Sequence, residues 1–356
     1  MNRVPVSRFL FSIILGSMIL SSIIKSNISY IEPQSHQVQK FWIPNSCTIF
    51  TVNISDTIYF GNNEDYRLTG TYMWLVPSQE ITPLLLPFTI YGCVAFGFRY
   101  NNDPADGYAQ GGMNDQGLCV DGNGLPALSL NPHPELQPIY TNPIEQTLFE
   151  CANVSEVIHW YQTHYLGTVW AGQLHYADAS GDAVVVSVGL DGEFAFTRKN
   201  SSHYLVSTNF NLANYANGYY PCSRYDTATS MLASITDEVD LTIGACRDIL
   251  DAVHAEGEYA TKYSNIFDPV NLEFHLFYNH NFDKMKSFDL IEELGKVHPG
   301  GLDVKEENGI YYKEVAISSL FSESAIPGYP LIILIASIAI ITSIFVLLNL
   351  KRYKVN

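Results

Sequence analysis

Two stretches of this 356-residue chain carry residue types suited to covalent chemistry. Cys47, in Ile43-Pro44-Asn45-Ser46-Cys47-Thr48-Ile49-Phe50, stands where a polar segment gives way to a run of strands. Gly61-Asn62-Asn63-Glu64-Asp65-Tyr66 follows, with Asp65 placed 18 residues after Cys47. A thiolate is a strong nucleophile, and a nearby carboxylate can orient the group that takes its proton. Each stretch alone has a plainer reading. A lone cysteine at a strand start packs in a core, and a polar Gly-Asn-Asn run turns the chain. Taken together they predict a pair, because two antiparallel strands of about six residues joined by a turn bring Asp65 back beside Cys47.

Other constellations are weaker. His159 and His164 are five apart on an expected helix and so do not share a face, and His275 and His280 flank a strand end. There is no HExxH and no carboxylate-rich triad, so neither metal nor cofactor is expected. Nothing local supplies Cys47 with a histidine partner. The six cysteines (Cys47, Cys93, Cys119, Cys151, Cys222 and Cys246) show no CxxC spacing, and any disulfide connectivity is open. Between Cys47 and Pro327 there are 12 Lys and Arg against 35 Asp and Glu, a net −23. Such a surface excludes nucleic acid as a partner, since phosphates need a basic face. The acidity reads as solubility.

The elements that must position these residues alternate in blocks. Short apolar or alternating runs at Cys47–Val52, Ile58–Phe60, Tyr72–Val76, Val94–Phe98 and Leu118–Asp121 predict strands. Asn142-Pro143-Ile144-Glu145 offers an N-cap, a first-turn proline and an acidic third position, opening a helix to about Cys151. Ser155–His164 predicts a second helix. Strands are expected at Gln173–Ala177, Ala183–Val188, Glu193–Thr197 and Tyr204–Thr208. Helices follow over Tyr225–Ile235 and Thr242–Val253, and Leu272–Tyr278 and Met285–Leu290 close the series as strands. The pattern predicts one layered α+β domain, 47–322.

Both ends differ in character. Phe9–Ile24 is apolar or small throughout, after Arg3 and Arg8 and before Lys25, which fits a signal peptide or an uncleaved signal anchor. With the polar stretch after it, 1–46 reads as signal or anchor segment plus propeptide. Beyond a linker at 323–330, Leu331–Leu350 is 20 residues without a charge, long enough at about 1.5 Å per residue to span a bilayer. Lys351, Arg352 and Lys354 in the tail 351–356 then face the cytoplasm, and the catalytic domain is expected outside, tethered to the membrane.

In order along the chain, Cys47, Gly61-Asn62-Asn63-Glu64-Asp65 and Gly112-Met113-Asn114-Asp115-Gln116-Gly117-Leu118 resemble the choloylglycine hydrolase and penicillin V acylase group. That group hydrolyses linear amides and belongs to the N-terminal-nucleophile (Ntn) hydrolases; isopenicillin N acyltransferase is a more distant relative. Leu174-His175-Tyr176-Ala177-Asp178, Leu205-Val206-Ser207-Thr208-Asn209 and Ser223-Arg224-Tyr225 continue the likeness to about Leu290. The resemblance implies a four-layer αββα sandwich of the Ntn-hydrolase type. It also implies that Cys47 becomes the first residue after propeptide removal, so that its own α-amino group, with an ordinary pKa of about 7.7–8.0, serves as base. Asp65 matches the aspartate that orients that amine. Arg224 matches an arginine near the sulfur, and Asn209 an amide donor to the amine or oxyanion. Asn123 lies one position from another oxyanion-hole asparagine, with Gly124 in the strictly aligned place. Members that act on bile salts have arginine where this chain has Asn62, which weakens any claim to bile-acid amides.

The expected function is hydrolysis of a small-molecule N-acyl amide through a thioester. Two alternatives stand beside it: acyl transfer to an amine, and a catalytically silent surface-binding protein of the same fold. The resemblance also leaves a homo-oligomer open.

Overall fold

The computed structural model describes residues 47–67, 70–81, 87–99, 107–139, 142–217 and 221–322, with side chains at 215–217 excepted. The expected signal segment and propeptide (1–46), linker (323–330), membrane helix (331–350) and basic tail (351–356) lie outside them. Among the described residues no helix is long and apolar enough to cross a membrane.

Two antiparallel sheets form the centre. The first has six strands, in the order β14 (Tyr204–Ser207), β1 (Thr48–Ile54), β2 (Thr57–Asp65), β15 (Thr261–Asp268), β16 (Glu273–Tyr278) and β17 (Asn281–Asp289). The second has nine: β13 (Phe194–Arg198), β12 (Ala183–Val188), β11 (Val169–Ala177), β8 (Cys119–Ser129), β7 (Gly107–Asn114), β6 (Cys93–Arg99), β3 (Thr71–Val76), β19 (Ile310–Ala316) and β18 (Val304–Glu307). Two short pairs, β4 (Gln79–Ile81) with β5 (Phe88–Ile90) and β9 (Gln137–Pro138) with β10 (His164–Tyr165), lie apart.

Alternation along each strand sends successive side chains to opposite faces. On β1, Ile49 joins the apolar layer between the sheets, with Phe60, Val94, Phe96, Met113, Tyr263 and Phe267. Phe50 and Val52 turn the other way, onto helices α3 (Ser223–Ser234) and α4 (Ile243–Ala252), through Ala228, Leu232, Ile249 and Leu250. On the far side, α1 (Pro143–Glu150) and α2 (Val154–Thr163) cover the nine-stranded sheet. Tyr176 links both, its hydroxyl 3.2 Å from Thr147 Oγ1 and 3.0 Å from Tyr161 Oη. The layers are therefore helix, sheet, sheet, helix, the sandwich that the sequence resemblance implies. Helices α5 (Leu290–Gly295) and α6 (Ile317–Phe321) pack against strands of both sheets.

Local signals act as expected at α1, where the Asn142 side chain caps the amide of Ile144 with Pro143 in the first turn. Three features differ from the sequence reading. Gly61–Asp65 is not a turn but the buried second half of β2. The glycine-rich Gly107–Asn114 is a strand, because β6 and β7 approach too closely for side chains: a Cβ at Gly112 would sit 2.2 Å from the Val94 carbonyl oxygen. The series of strands also continues past Leu290, with β19 pairing β3 inside the larger sheet. None of the six cysteines forms a disulfide.

A buried polar bridge near the site helps to bind the two sheets. His175 on β11 has its ring nitrogens 3.0 Å from Thr51 Oγ1 on β1 and 3.0 Å from Ser207 Oγ on β14. Burial lowers its pKa to about 3, so it stays neutral. A depressed folded-state value means that the unfolded chain binds the proton first. Stability from this residue is full above an unfolded pKa of about 6.5 and is lost as pH falls from there toward about 3. His175→Phe should destabilise the protein at pH 7, by about 1–3 kcal/mol for each hydroxyl stranded. That gap should narrow by about 2 kcal/mol at pH 5, since only the wild type pays the proton penalty. Denaturant unfolding of both proteins at the two pH values checks this; a constant gap contradicts it.

Candidate active site

Cys47 immediately precedes β1 and is fully buried. The chain reverses at Ser55, which takes a left-handed φ of 53°, and β2 returns in a register that pairs Thr48 with Asn63. Glu64 thus lies across from Cys47, and the Asp65 backbone N–H points at the sulfur. Side chains divide by parity. Asn63 and Asp65 face the helices: Asn63 Nδ2 donates to the Leu250 carbonyl at 2.7 Å, and Asp65 Oδ1 accepts from the Thr261 hydroxyl. Glu64 faces the space between the sheets, with Cys47.

Arg224 reaches Cys47 from the first turn of α3. Its Nη1 donates to the Cys47 carbonyl and to Thr48 Oγ1, each at 2.8 Å, and stands 3.6 Å from Asp65 Oδ2. Its Nη2 donates to Asn209 Oδ1 at 2.9 Å. Asn209, just past the end of β14, donates through Nδ2 to the Gly124 carbonyl at 3.0 Å. Asn123 on β8 donates to the Cys47 carbonyl at 3.3 Å. All five residues singled out in the sequence (Cys47, Asp65, Asn123, Asn209 and Arg224) therefore meet at one point. Between the two candidates on β8, it is the Asn123 side chain that is turned to Cys47, while the Gly124 carbonyl is held by Asn209.

Several partners were not visible as site residues in the sequence. Gln173 on β11 is wholly buried and donates to the carbonyls of Thr208, at 2.6 Å, and Phe210, at 2.9 Å, and accepts from the Leu212 amide. It fixes the loop that carries Asn209 and also lies 3.4 Å from Asn123 Oδ1. Thr48 and Thr261 receive and give the bonds that hold Arg224 and Asp65. Glu64 and Asp121 add two buried carboxyl groups beside the thiol. Strand parity from Asn123 back to Asp121 was the one signal that could have located the latter.

The electrostatics follow from burial. Removal from water, then the carboxylates of Glu64 and Asp65, push the Cys47 thiol well above its ordinary range; the Asp65 N–H opposes this, and Asp121 adds to it. Burial raises Asp65 to about 7, against the pull of the Thr261 hydroxyl, Arg224 and Lys262. Among the described residues Asp65 Oδ2 accepts no hydrogen bond, and the Arg224 guanidinium stands 3.6 Å from it. Cys47 thus carries a neutral thiol beside the Asp65 carboxyl.

Asn62, where bile-salt-hydrolysing members have arginine, is fully buried and brings no charge. Among the described residues, no group of three or more His, Cys, Asp or Glu is arranged to hold a metal ion. A cavity of about 530 Å³ opens among Leu75, Phe288, Lys305, Lys313 and Glu314, and none of the five site residues lines it.

Comparison with protein-family models finds no match, and comparison with curated proteins finds none either. Solved structures do match. A cysteine-to-alanine mutant of the conjugated bile acid hydrolase from Clostridium perfringens aligns with a TM-score of 0.55 at 16% identity, over 69% of this chain and 93% of that one. An arginine-to-leucine variant of the same hydrolase aligns with a TM-score of 0.57 at 14% identity, over 79% of this chain and all of that one. Penicillin V acylase from Agrobacterium tumefaciens aligns at 0.49 and 15% identity, over 68% and 91%. The chain has the fold of the conjugated bile acid hydrolase, and so resembles in three dimensions the group its motifs resemble in sequence.

Proposed function

We propose that this protein is a linear-amide hydrolase whose nucleophile is Cys47, exposed as an N-terminal residue by removal of the segment before it. The observation that carries this reading is the convergence of Arg224, Asn123, Asn209 and Asp65 on a cysteine that begins a central strand. Once freed, the α-amine of Cys47 is both a base for its own thiol and a cation for the Asp65 carboxylate. It thereby offsets the negative surroundings that hold the thiol neutral in the uncleaved chain. The thiolate attacks the amide carbonyl, the amine product leaves with the proton, and water hydrolyses the thioester. Asn123 and Asn209 are the amide donors within reach of the developing oxyanion. A lost donor of that kind costs about 2.7–4 kcal/mol.

The substrate class is an N-acyl compound, and Asn62 argues against a preference for bile-acid conjugates. We place the catalytic domain outside the cytoplasm, tethered through Leu331–Leu350. Carbonate extraction should leave the full chain in the membrane pellet, and truncation after residue 322 should release it.

Mass spectrometry of the purified protein tests the core of the reading. Chains should begin at Cys47, and Cys47→Ala should abolish turnover of a panel comprising penicillin V, conjugated bile acids, N-acylethanolamines and N-acyl homoserine lactones. An intact Ser46–Cys47 bond in protein that turns over a panel amide would falsify it. No turnover, with no electrophilic labelling of Cys47, would favour the silent binding protein. Adding amine acceptors to the same assay separates hydrolysis from acyl transfer.

The Asp65 carboxyl, raised to about 7 before the amine exists, is pulled below that by the freed ammonium, and its contribution is lost as pH falls through the lowered value. The kcat/KM should climb with pH through that lowered value in the wild type. Asp65→Asn should lower it by about 10²–10⁴-fold, within the range for a positioned proton-handling group. An Asp65→Asn variant whose kcat/KM stays close to that of the wild type would remove Asp65 from this role.

A further inference from the structure

The amine that serves as base in the mature enzyme does not exist before the chain is cut. In the precursor the Cys47 nitrogen is an amide, with no basic lone pair to accept a proton. Another group must therefore deprotonate the thiol if the protein cleaves itself.

The structure offers one on the same face. Cys47 and Glu64 are cross-strand neighbours by the Thr48–Asn63 register, both are fully buried, and the thiol lies within hydrogen-bonding reach of the Glu64 carboxyl. Asp121 faces them from β8, also fully buried, with one carboxylate oxygen accepting the Gly122 N–H at 2.7 Å. Its other oxygen lies over Gly111, where a Cβ would sit only 2.1 Å away, so the glycine makes room for the acid. Tyr263, paired with Glu64 in the β2–β15 register, and the neutral His175, paired with Asp121 across β8 and β11, stand on this face too, with Cys119 two residues from Asp121 and Tyr66 in the same layer. Asp65 and Arg224 lie beyond the strand, toward the helices. Burying two carboxyl groups this close together costs folding free energy, which a role in chemistry at the thiol would account for.

We propose that Glu64 is the general base for self-cleavage at the Ser46–Cys47 bond, and that Asp121 tunes it. This rests on the N-terminal-nucleophile reading above. The thiol proton passes to the Glu64 carboxylate as Sγ attacks the carbonyl carbon of residue 46. The carboxyl then returns that proton to the Cys47 nitrogen as the C–N bond breaks, leaving the upstream segment as a thioester on Sγ. Water hydrolyses the thioester to a carboxylate and a free thiol, and the new α-amine takes over as base. Burial and the charge of Asp121 raise Glu64 well above the usual carboxylate range, so the base is ionised only toward higher pH.

The test follows the self-cleavage of full chains by intact mass and N-terminal sequencing between pH 5 and 9. The wild-type rate should rise with pH. Glu64→Gln should slow cleavage at least about 100-fold, the scale of a lost general base, and Glu64→Asp should restore part of it. Asp121→Asn should move the pH limb downward by about one unit, the coupling expected of two adjacent carboxyls. A second set of full chains carries a specific protease site in place of residues 43–46, so that Cys47 is freed without self-cleavage. Glu64→Gln opened in this way should still hydrolyse the amide that the wild type turns over, with its pH dependence moved downward because one carboxylate beside the thiol is gone. Self-cleavage of Glu64→Gln at the wild-type rate overturns the proposal, as does an opened Glu64→Gln chain as inactive as Cys47→Ala. A wild type that never cuts itself but is active once opened also overturns it, while leaving the amidase reading intact. A wild type inactive even when opened removes that reading, and this one with it.

Discussion

The register between β1 and β2 is the constraint on which the site depends. Side chains in a strand alternate with a period of two, so a slip of one residue would send every group to the wrong face. Pairing of Thr48 with Asn63 places Glu64 beside the thiol and the Asp65 carboxyl on the helix side, where Thr261 and Arg224 meet it. Apolar residues on both faces enforce that register. Ile49 and Phe60 are committed to the layer between the sheets, Phe50 and Val52 to the layer under α3 and α4. Because both faces are buried, the register has no low-cost alternative.

A second constraint is the buried carbonyl of Cys47. Arg224 and Asn123 approach it from different layers, one from a helix that covers the six-stranded sheet and one from the nine-stranded sheet. Gln173 secures the loop that brings Asn209 to Arg224. Cys47 is thus fixed by the junction of three layers and not by its own strand alone. The same burial sets the state of the thiol: surrounded by carboxyl groups, it stays protonated.

Much of the architecture could be read from local chemistry. Asn142 and Pro143 marked the start of α1, alternation marked most of the inner strands, and Ala183–Val188 was read to the residue. What escaped was set by contacts distant in sequence. Gly107–Asn114 has a composition that argues against a strand, and it is one because β6 lies so close that glycine is required. Ile310–Ala316 shows only intermediate burial along its length, with no apolar face to announce it, yet it pairs β3 inside the larger sheet. Gly61–Asp65 looks like a polar turn and is buried strand, because its polar groups find partners on other elements: Asn63 on Leu250, Asp65 on Thr261.

By itself the sequence determined the identity and order of the groups that converge: a cysteine at a strand start, Asp65 following the next strand, and Asn123, Asn209 and Arg224 on later elements. Residue type and hydrophobic period are local properties, and they carry that far. Only the tertiary structure decided that the Asn123 side chain, and not the next position along, faces Cys47, that Gln173 locks the Asn209 loop, and that Glu64 and Asp121 share the space with the thiol. Those outcomes depend on which faces of two sheets meet, and on how far a charged group lies from water once they do. Neither distance nor desolvation is written in any single stretch of chain.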